Sequence, residues 1–464
     1  MNQNVQAFWD SMKNKKVALL GVGVSNRPLI EMFLRAGARV TACDMNKDNK
    51  NDGLSKELAA MGVTVKFGPD YIRGLEGMDV IFRTPGLMST HPALLEYQKK
   101  GIPVTSEMEV FFDLCPAKII AVTGSDGKTT TTTLISLFLR QAGKKVFLGG
   151  NIGTPLLPLA GEMSENDYAV VELSSFQLMS MRKSPQIAVV TNLTPNHLDK
   201  HTDMAEYINA KKNIFLHQNA FSRTVLNADN ETTASFAPLV RGDLYFFSRR
   251  HAVEAGAYVE KGQLFMKEKN GTVTPICAQS DIRLPGEHNV ENYLTAITAV
   301  WGLVSAEDIA AVAKEFGGVE HRMEFVRELE GVKYYNDSIA TSPTRVINGT
   351  LSYYTQKIIV IAGGSDKDIP FDELGDALCR KVKTLILLGA TTEKIRQSVI
   401  LSEYYPLDDP DIICVNSMEE AVQKAKEAAA AGDIVSLCPA CASFDMYKNF
   451  ESRGQHYKDI VAAL

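Results

Sequence analysis

No apolar run in this chain approaches the ~18 residues a membrane-spanning helix needs. The first ten residues, Met1 to Asp10, lack the apolar core of a secretory signal. Both absences lead to the expectation of a cytoplasmic protein with no membrane partner. No basic block occurs, and the net charge is −6, which argues against nucleic acid as the main partner. An anionic substrate would have to be held by local cations rather than by the overall field. Cysteines number only 7, scattered and odd, so no disulfide framework is expected and the thiols read as reduced. Cys438 and Cys441 have redox spacing. They read either as a redox pair or as two structural thiols in a binding turn, and no oxidoreductase pattern surrounds them. Low-complexity linkers and short internal repeats are also missing.

What the chain does have is length and alternation. At 464 residues, 45% of them hydrophobic, it can support about two to four domains with full cores. Short β-rich apolar runs alternate with helical stretches almost throughout, which predicts α/β layers with mostly parallel sheets. Three blocks are expected: residues 1–105, 106–316 and 317–464.

The most informative run lies in the second block. The apolar stretch from Lys118 delivers Thr123, Gly124, Ser125, Asp126, Gly127, Lys128, Thr129 and Thr130. A buried strand feeding a Gly-rich turn and a helix start aims backbone N–H groups at an anion, and the helix dipole adds partial positive charge. Lys128 can reach outer phosphates, and the Thr129 hydroxyl can join the shell of Mg²⁺. The general P-loop pattern fails here, because Val122 stands where its first glycine belongs. The bland alternative is an ordinary strand-to-helix turn with a surface lysine. Downstream, a strand ends in Glu172, where Mg²⁺ beside a phosphate loop would need a carboxylate. A further strand delivers His197, which reads either as a plain loop residue or as a site residue at the same sheet edge. Asn289 and Asn292 open an Ala-rich helix, where amides can read an adenine edge or merely cap the helix.

The first block begins as a Rossmann-like unit, with Gly21 and Gly23 after a strand and Asp44 about 20 residues beyond. Asn26 stands where the third fingerprint glycine belongs, so a nucleotide other than NAD is expected. Asp44 reads as a ribose-side acid or as a solvated strand-end acid. A second turn, Arg83-Thr84-Pro85-Gly86, follows another strand on the ligand-binding edge. In the third block, strands from about Val332, Lys357, Thr384, Ile412 and Asp433 each lead into polar turns, as in a second Rossmann-like sheet.

With these residues in view, the chain resembles the Mur ligases of peptidoglycan synthesis over essentially its whole length. The resemblance rests on the run from Thr123, on Gly-Gly-Asn-Ile-Gly from Gly149, and on Glu-Leu-Ser-Ser-Phe-Gln-Leu from Glu172. It continues through Asn192 to Asp199, Glu-His-Arg-Met-Glu from Glu320, Asn-Asp-Ser-Ile-Ala-Thr from Asn336, and Pro-Ala-Cys-Ala-Ser-Phe-Asp from Pro439. It implies an α/β protein of three domains: a Rossmann-like N-terminal domain for a UDP-sugar, a central P-loop-type ATPase domain with a mostly parallel sheet, and a Rossmann-like C-terminal domain for an amino acid. The implied reaction is ATP-driven amide formation. A substrate carboxylate attacks the γ-phosphate, and an amine then displaces phosphate from the acyl phosphate through a tetrahedral intermediate. The implied partners are UDP-N-acetylmuramoyl-L-alanine and D-glutamate, acted on by a monomer. Folylpolyglutamate-type relatives place the phosphate turn near the N-terminus, and ligases adding the third peptide residue carry an Asp-Asn-Pro-Arg-type motif not found here. Either remains the alternative, and a nucleotide-binding regulatory protein without turnover is a third class.

The same resemblance assigns residues. Thr129 and Glu172 match ligands of a first Mg²⁺, and His197 matches a ligand of a second. Lys211 matches the lysine that is carbamylated in the family, its carbamate reaching toward that second metal. Read from its residues alone, Lys211 is a helix-surface lysine beside Lys212, and either could hold that position. Carbamylation needs a neutral amine, so its pKa should be depressed. The loop Gly124 to Thr130, with Asn289, Asn292, Arg322 and Asp337, matches the ATP site. Val24, Ser25, Asn26, Asp44, Asn46, Thr84, Pro85, Gly86, Asn151, Ser174 and Gln177 match the UDP-sugar side. Thr341, Lys367, Ser443, Phe444 and Phe450 match the D-glutamate side, Lys367 supplying the cation a dicarboxylate demands. Ile339 stands where many relatives carry Lys, and Asn26 and Asn46 also depart from familiar versions.

Overall fold

The computed structural model describes all residues except 1–2, 24, 46–52, 195–200, 285, 367–369 and 406–409. Val24, Asn46, His197 and Lys367 therefore lie outside the described residues. The chain forms two compact units, Met1–Phe316 and Gly317–Leu464.

The first unit contains two parallel sheets. Strands β1 (Lys16–Leu20), β2 (Arg39–Asp44), β3 (Thr64–Phe67), β4 (Val80–Arg83) and β5 (Val104–Thr105) lie in the order β3-β2-β1-β4-β5. Val17 to Leu20 are all buried, as expected of a parallel strand covered on both faces. The helix Arg27–Arg35 follows β1 with Pro28 in its first turn, where the missing N–H is harmless, and it buries Leu29, Ile30 and Phe33. The strand order reverses between β1 and β4, and that switch point is where such sheets open a ligand crevice.

The second sheet comprises β6 (Lys118–Thr123), β7 (Val146–Gly150), β8 (Tyr168–Glu172), β9 (Ile187–Val190), β10 (Arg223–Asn227) and β11 (Asp243–Phe247). Its order is β11-β10-β9-β6-β8-β7. The two sheets share one apolar core: Phe33 and Phe82 from the first side belong to the same cluster as Ile119, Leu156 and Leu178 from the second. The helix Glu107–Leu114, capped by Ser106, carries the chain from β5 toward β6. Its Glu107 is buried in that core, and one carboxylate oxygen accepts from Leu156 N and Leu157 N at 2.9 and 2.8 Å. Burial pushes this carboxyl up to about 7, and the two amides only partly offset that.

One element was not anticipated. Strands β12 (Gly256–Glu260), β13 (Gln263–Lys267) and β14 (Val273–Ala278) form a separate antiparallel sheet. Its inner residues Ala257, Leu264 and Met266 pack with Ile297 and Val300 of the helix Glu287–Val300. The central block is therefore a parallel sheet plus an antiparallel meander.

The second unit carries β15 (Glu324–Leu329), β16 (Val332–Asn336), β17 (Ile358–Ala362), β18 (Val382–Leu387), β19 (Asp411–Cys414) and β20 (Ile434–Leu437), ordered β15-β16-β20-β17-β18-β19. Pairing is parallel except for β15, which returns as a hairpin on β16. Among the described residues no helix is long and apolar enough to cross a membrane.

Candidate active site

The phosphate loop leaves β6 and enters the helix Lys128–Gln141, which is anchored by buried Leu134, Ile135, Phe138 and Leu139. Two glycines shape it. Gly124 has φ +152°, and a Cβ there would lie 1.9 Å from Thr191 Oγ1. Gly127 has φ +75°, and a Cβ would lie 2.2 Å from Asn292 Oδ1. Neither position tolerates a side chain, on backbone conformation and space alike. The segment after β9 braces the loop from below. Ser125 N donates to Asn192 O, Asp126 N donates to Asn192 Oδ1, and Thr191 Oγ1 donates to Asp126 O. The half-exposed Lys128 folds back onto its own loop, donating from Nζ to Gly124 O and Ser125 O at 3.0 and 2.7 Å.

Beside the loop, β8 delivers buried Glu172. Its Oε2 accepts from Thr129 Oγ1 at 2.7 Å and its Oε1 from Asn151 Nδ2 at 2.8 Å. Asn151 N donates to Glu172 O, so the turn after β7 is fastened to the end of β8. Ser174 then caps the short helix Ser175–Leu178 in a capping box with Gln177, whose side chain is turned into local structure.

Lys211 is a correction to the sequence reading. It lies on the helix Met204–Leu216 but is only 2% exposed, not a surface residue. Its Nζ donates to Thr123 Oγ1 at 3.1 Å and to Gly124 O at 2.7 Å, and sits 4.8 Å from the Tyr207 ring centroid. Burial, together with the Lys128 charge, holds its pKa well below the usual lysine range, against the pull of Glu172 and Asp126. Lys212 instead lies over the Phe236 ring, away from the loop. The geometry therefore separates two neighbours that the sequence left equivalent. Tyr207, one turn before Lys211, was missed; its hydroxyl lies 2.9 Å from Ser125 Oγ. The i, i+4 spacing of an aromatic and a lysine on one helix was the available signal. Asn289 and Asn292 are buried: Asn292 Nδ2 donates to Asn289 Oδ1, and Asn292 Oδ1 accepts from Thr131 Oγ1. Asn292 packs under Gly127 of the loop, and Asn289 accepts from the Asn292 amide.

At the first sheet, Asp44 Oδ2 accepts from Val22 N, which ties the end of β2 to the glycine turn. Asn26 is 0% exposed, and its amide donates to Leu20 O, Gly21 O and, weakly, Phe82 O. It holds the β1 and β4 ends together from beneath, while Ser25 lies nearer the surface. Thr84 follows β4 and crowds Gly21, whose φ is +85°; a Cβ at Gly21 would lie 2.4 Å from Thr84 Cγ2. Pro85 and Gly86 are partly exposed beyond it. Arg83 is buried, donating to Leu87 O and Ser180 Oγ.

In the second unit, polar turns collect at the C-terminal strand ends. Asp337, after β16, accepts from Met323 N and Thr350 Oγ1; burial raises its carboxyl to about 6. Arg322 and Thr341 are half-buried nearby in sequence. Arg453, which the sequence reading missed, is buried and donates to Ser338 Oγ and O, Cys441 O and Ala442 O. It ties the β16 turn to the segment leading into buried Ser443. Phe450 is half-buried and accepts from Ser338 Oγ through its carbonyl, whereas Phe444 is 74% exposed. Cys438 and Cys441 are free, buried thiols; burial raises both, Cys441 to about 11, which keeps them protonated and unreactive. The redox alternative loses its chemical basis.

Compared with known proteins, residues 122–300 match the family described as "Mur ligase middle domain" and residues 321–441 the "Mur ligase, glutamate ligase domain". The whole chain is 50% identical, over 100% of both proteins, to a protein of Acetivibrio thermocellus called UDP-N-acetylmuramoylalanine--D-glutamate ligase. It is 49% identical, over the same full coverage, to the protein of that name from Clostridium acetobutylicum. Among solved structures it resembles UDP-N-acetylmuramate-alanine ligase from Thermotoga maritima, with TM-score 0.55 and 16% identity over 97% of this chain and 100% of the other. A murein peptide ligase of Psychrobacter arcticus gives TM-score 0.51 at 18% identity, over 97% and 99%. The full-length relatives and both family matches agree with the geometry of the phosphate loop: the chain belongs to the Mur ligase family.

Proposed function

We propose that this chain is an ATP-dependent ligase that joins D-glutamate to the carboxylate of UDP-N-acetylmuramoyl-L-alanine in peptidoglycan precursor synthesis, releasing ADP and phosphate. The full-length relatives that carry this activity in their name support the substrate assignment. The observation that carries the chemistry is the convergence of Thr129, Glu172, Asn151 and buried Lys211 on one phosphate loop.

Phosphoryl transfer to a carboxylate needs positioning and charge neutralisation more than covalent help. Lys128 would leave its loop carbonyls for the phosphates, and the loop amides with the helix start would hold the rest. Mur ligases use ATP and Mg²⁺. The Thr129 hydroxyl and Glu172 carboxylate are hard oxygen donors side by side, which fits Mg²⁺ held by few protein ligands. Among the described residues no three His, Cys, Asp or Glu groups gather as a metal cluster, as that kind of site allows. Bound Mg²⁺ would neutralise phosphate charge. His197 is read as a ligand of a second Mg²⁺. Lys211 is read as the carbamylated residue, because its amine is buried and biased toward the neutral form that reacts with CO₂. The crevice between β1 and β4 is read as the UDP end. In the second unit, Thr341, Lys367, Ser443, Phe444 and Phe450 are read as the D-glutamate side.

Phosphate release tests the assignment. With ATP, Mg²⁺ and UDP-N-acetylmuramoyl-L-alanine present, release is expected with D-glutamate and not with L-glutamate, L-lysine or meso-diaminopimelate. Equal release with L-glutamate, or none with any amino acid, overturns it.

A further inference from the structure

Behind the loop, three side chains form a hydrogen-bonded chain: buried Ser175 and His201, and Glu206, whose side chain is 29% exposed. His201 is 3% exposed; its Nε2 lies 2.9 Å from Ser175 Oγ and its Nδ1 3.3 Å from Glu206 Oε2. Glu206 Oε2 also accepts from Thr202 N at 2.7 Å. A carboxylate on the Nδ1 side favours a proton there, which leaves Nε2 to pair with the Ser175 hydroxyl. The arrangement has the connectivity of a nucleophilic triad, but Ser175 is itself buried, so no substrate carbonyl can reach its oxygen. The chain must serve structure around a site rather than attack within one.

Its position says which structure. Ser175 opens the short helix directly after Glu172 and Ser174. Glu206 stands in the first turn of the helix that carries Tyr207 and Lys211. The imidazole is one bridge between these two elements, at the N-terminal end of the Lys211 helix; Asn213, further along, donates to Leu178 O. Its face stacks on Phe176 at 5.0 Å and 5°, and its edge meets Tyr207 at 5.4 Å. Tyr207 in turn touches Ser125 of the loop and lies under the Lys211 amine. The hydrogen bonds at 2.9 Å to Ser175 and from Tyr207 to Ser125 fix the two ends, and ring contacts at about 5 Å join them, so a displaced imidazole bears on Tyr207 and, through it, on Lys211.

We infer that His201 is a positioning residue for the reaction: by bridging Ser175 to Glu206 it sets the register of the Lys211 helix against the turn that carries Glu172. This rests on the reading of Lys211 given above, and the test separates the two. Three proteins are compared: the wild type, His201→Phe, which keeps the stack on Phe176 but loses both nitrogens, and His201→Gln, which can restore the bond to Ser175. Melting temperature, KM for ATP, kcat and the ¹³C-carbamate signal after equilibration with ¹³C-bicarbonate are measured for each. His201→Phe is expected to melt within a few degrees of wild type, with ATP KM within about twofold and kcat at least about 30-fold lower, the scale of a misplaced reacting group. His201→Gln is expected to recover a third or more of kcat, and His201→Phe to need several-fold more bicarbonate for the same carbamate signal. A His201→Phe kcat within threefold of wild type, a loss that merely tracks the folded fraction, or no recovery in His201→Gln overturns the inference. A wild-type protein with no carbamate signal overturns the Lys211 reading alone, and the kcat pattern still decides His201.

Discussion

Replacing Glu107 by Gln should stabilise the protein at alkaline pH and leave it almost unchanged in acid. Glu107 is buried in the core shared by the first two sheets, and its carboxyl is raised from 4.5 to about 7 by desolvation. The folded chain therefore binds this proton more tightly than the unfolded chain does. The stabilising contribution is complete below pH 4.5 and is lost as pH rises through about 7. Across that window the loss is about 3 kcal/mol. Gln at this position keeps an oxygen for Leu156 N and Leu157 N but has no charge to desolvate. For a folding unit of this size, ~3 kcal/mol corresponds to about 5 °C in Tm. Melting curves of wild type and Glu107→Gln should thus nearly coincide near pH 5 and separate by about 5 °C at pH 8.5, the variant melting higher. Parallel curves across that range would refute the reasoning, because they would mean that the carboxylate ionises in the folded protein as easily as in water.

Gly127→Ala forces φ +75° onto an L-residue and drives its Cβ against Asn292 Oδ1, so ATP affinity measured by calorimetry should fall about tenfold or more. Lys211→Met should abolish ligation, whereas Lys212→Met should retain most of it; steady-state phosphate release distinguishes them, and equal losses would contradict the placement of the two amines. In the folded protein a thiol-specific disulfide reagent should modify exposed Cys414 first and leave Cys438 and Cys441 until unfolding. Replacing the latter two with Ser should leave amide formation largely intact.

Much of this architecture was legible in the sequence because parallel strands are buried on both faces and leave long apolar runs such as Lys118 to Thr123. The antiparallel parts were not. Strands β12–β14 and β15 are short and only partly buried: β13 alternates, and β15 has no buried residue, so neither leaves a continuous apolar run. Their turns were readable in principle: Lys261-Gly262 and Glu330-Gly331 are two-residue connections with both φ positive, the geometry of a type I′ hairpin. The loop residues Gly124 to Thr129 and the strand-end acid Glu172, which the fold brings together, could be singled out because they stand in short, contiguous motifs. Tyr207, Arg453, Glu107 and the Ser175–His201–Glu206 chain were not found. Each acts on a partner distant in sequence, and only the fold brings the two together. The depth of Lys211 belongs with them, since neighbouring lysines on a helix look alike until the helix is docked.

The common core beneath the first two sheets has a consequence for selectivity. A close-packed interior is nearly incompressible. Phe33 and Phe82 of one sheet and Leu156 and Leu178 of the other belong to a single apolar mass. The ends of β1 and β4 and the loop after β6 are therefore held at a set separation, like the jaws of a locked calliper. On the proposed function, a substrate anchored by its diphosphate in the crevice is gauged by reach: only a molecule whose carboxylate lies at the matching distance meets the phosphate loop. Discrimination of that kind needs no contact with the atoms in between, so those atoms are free to vary so long as the span is kept.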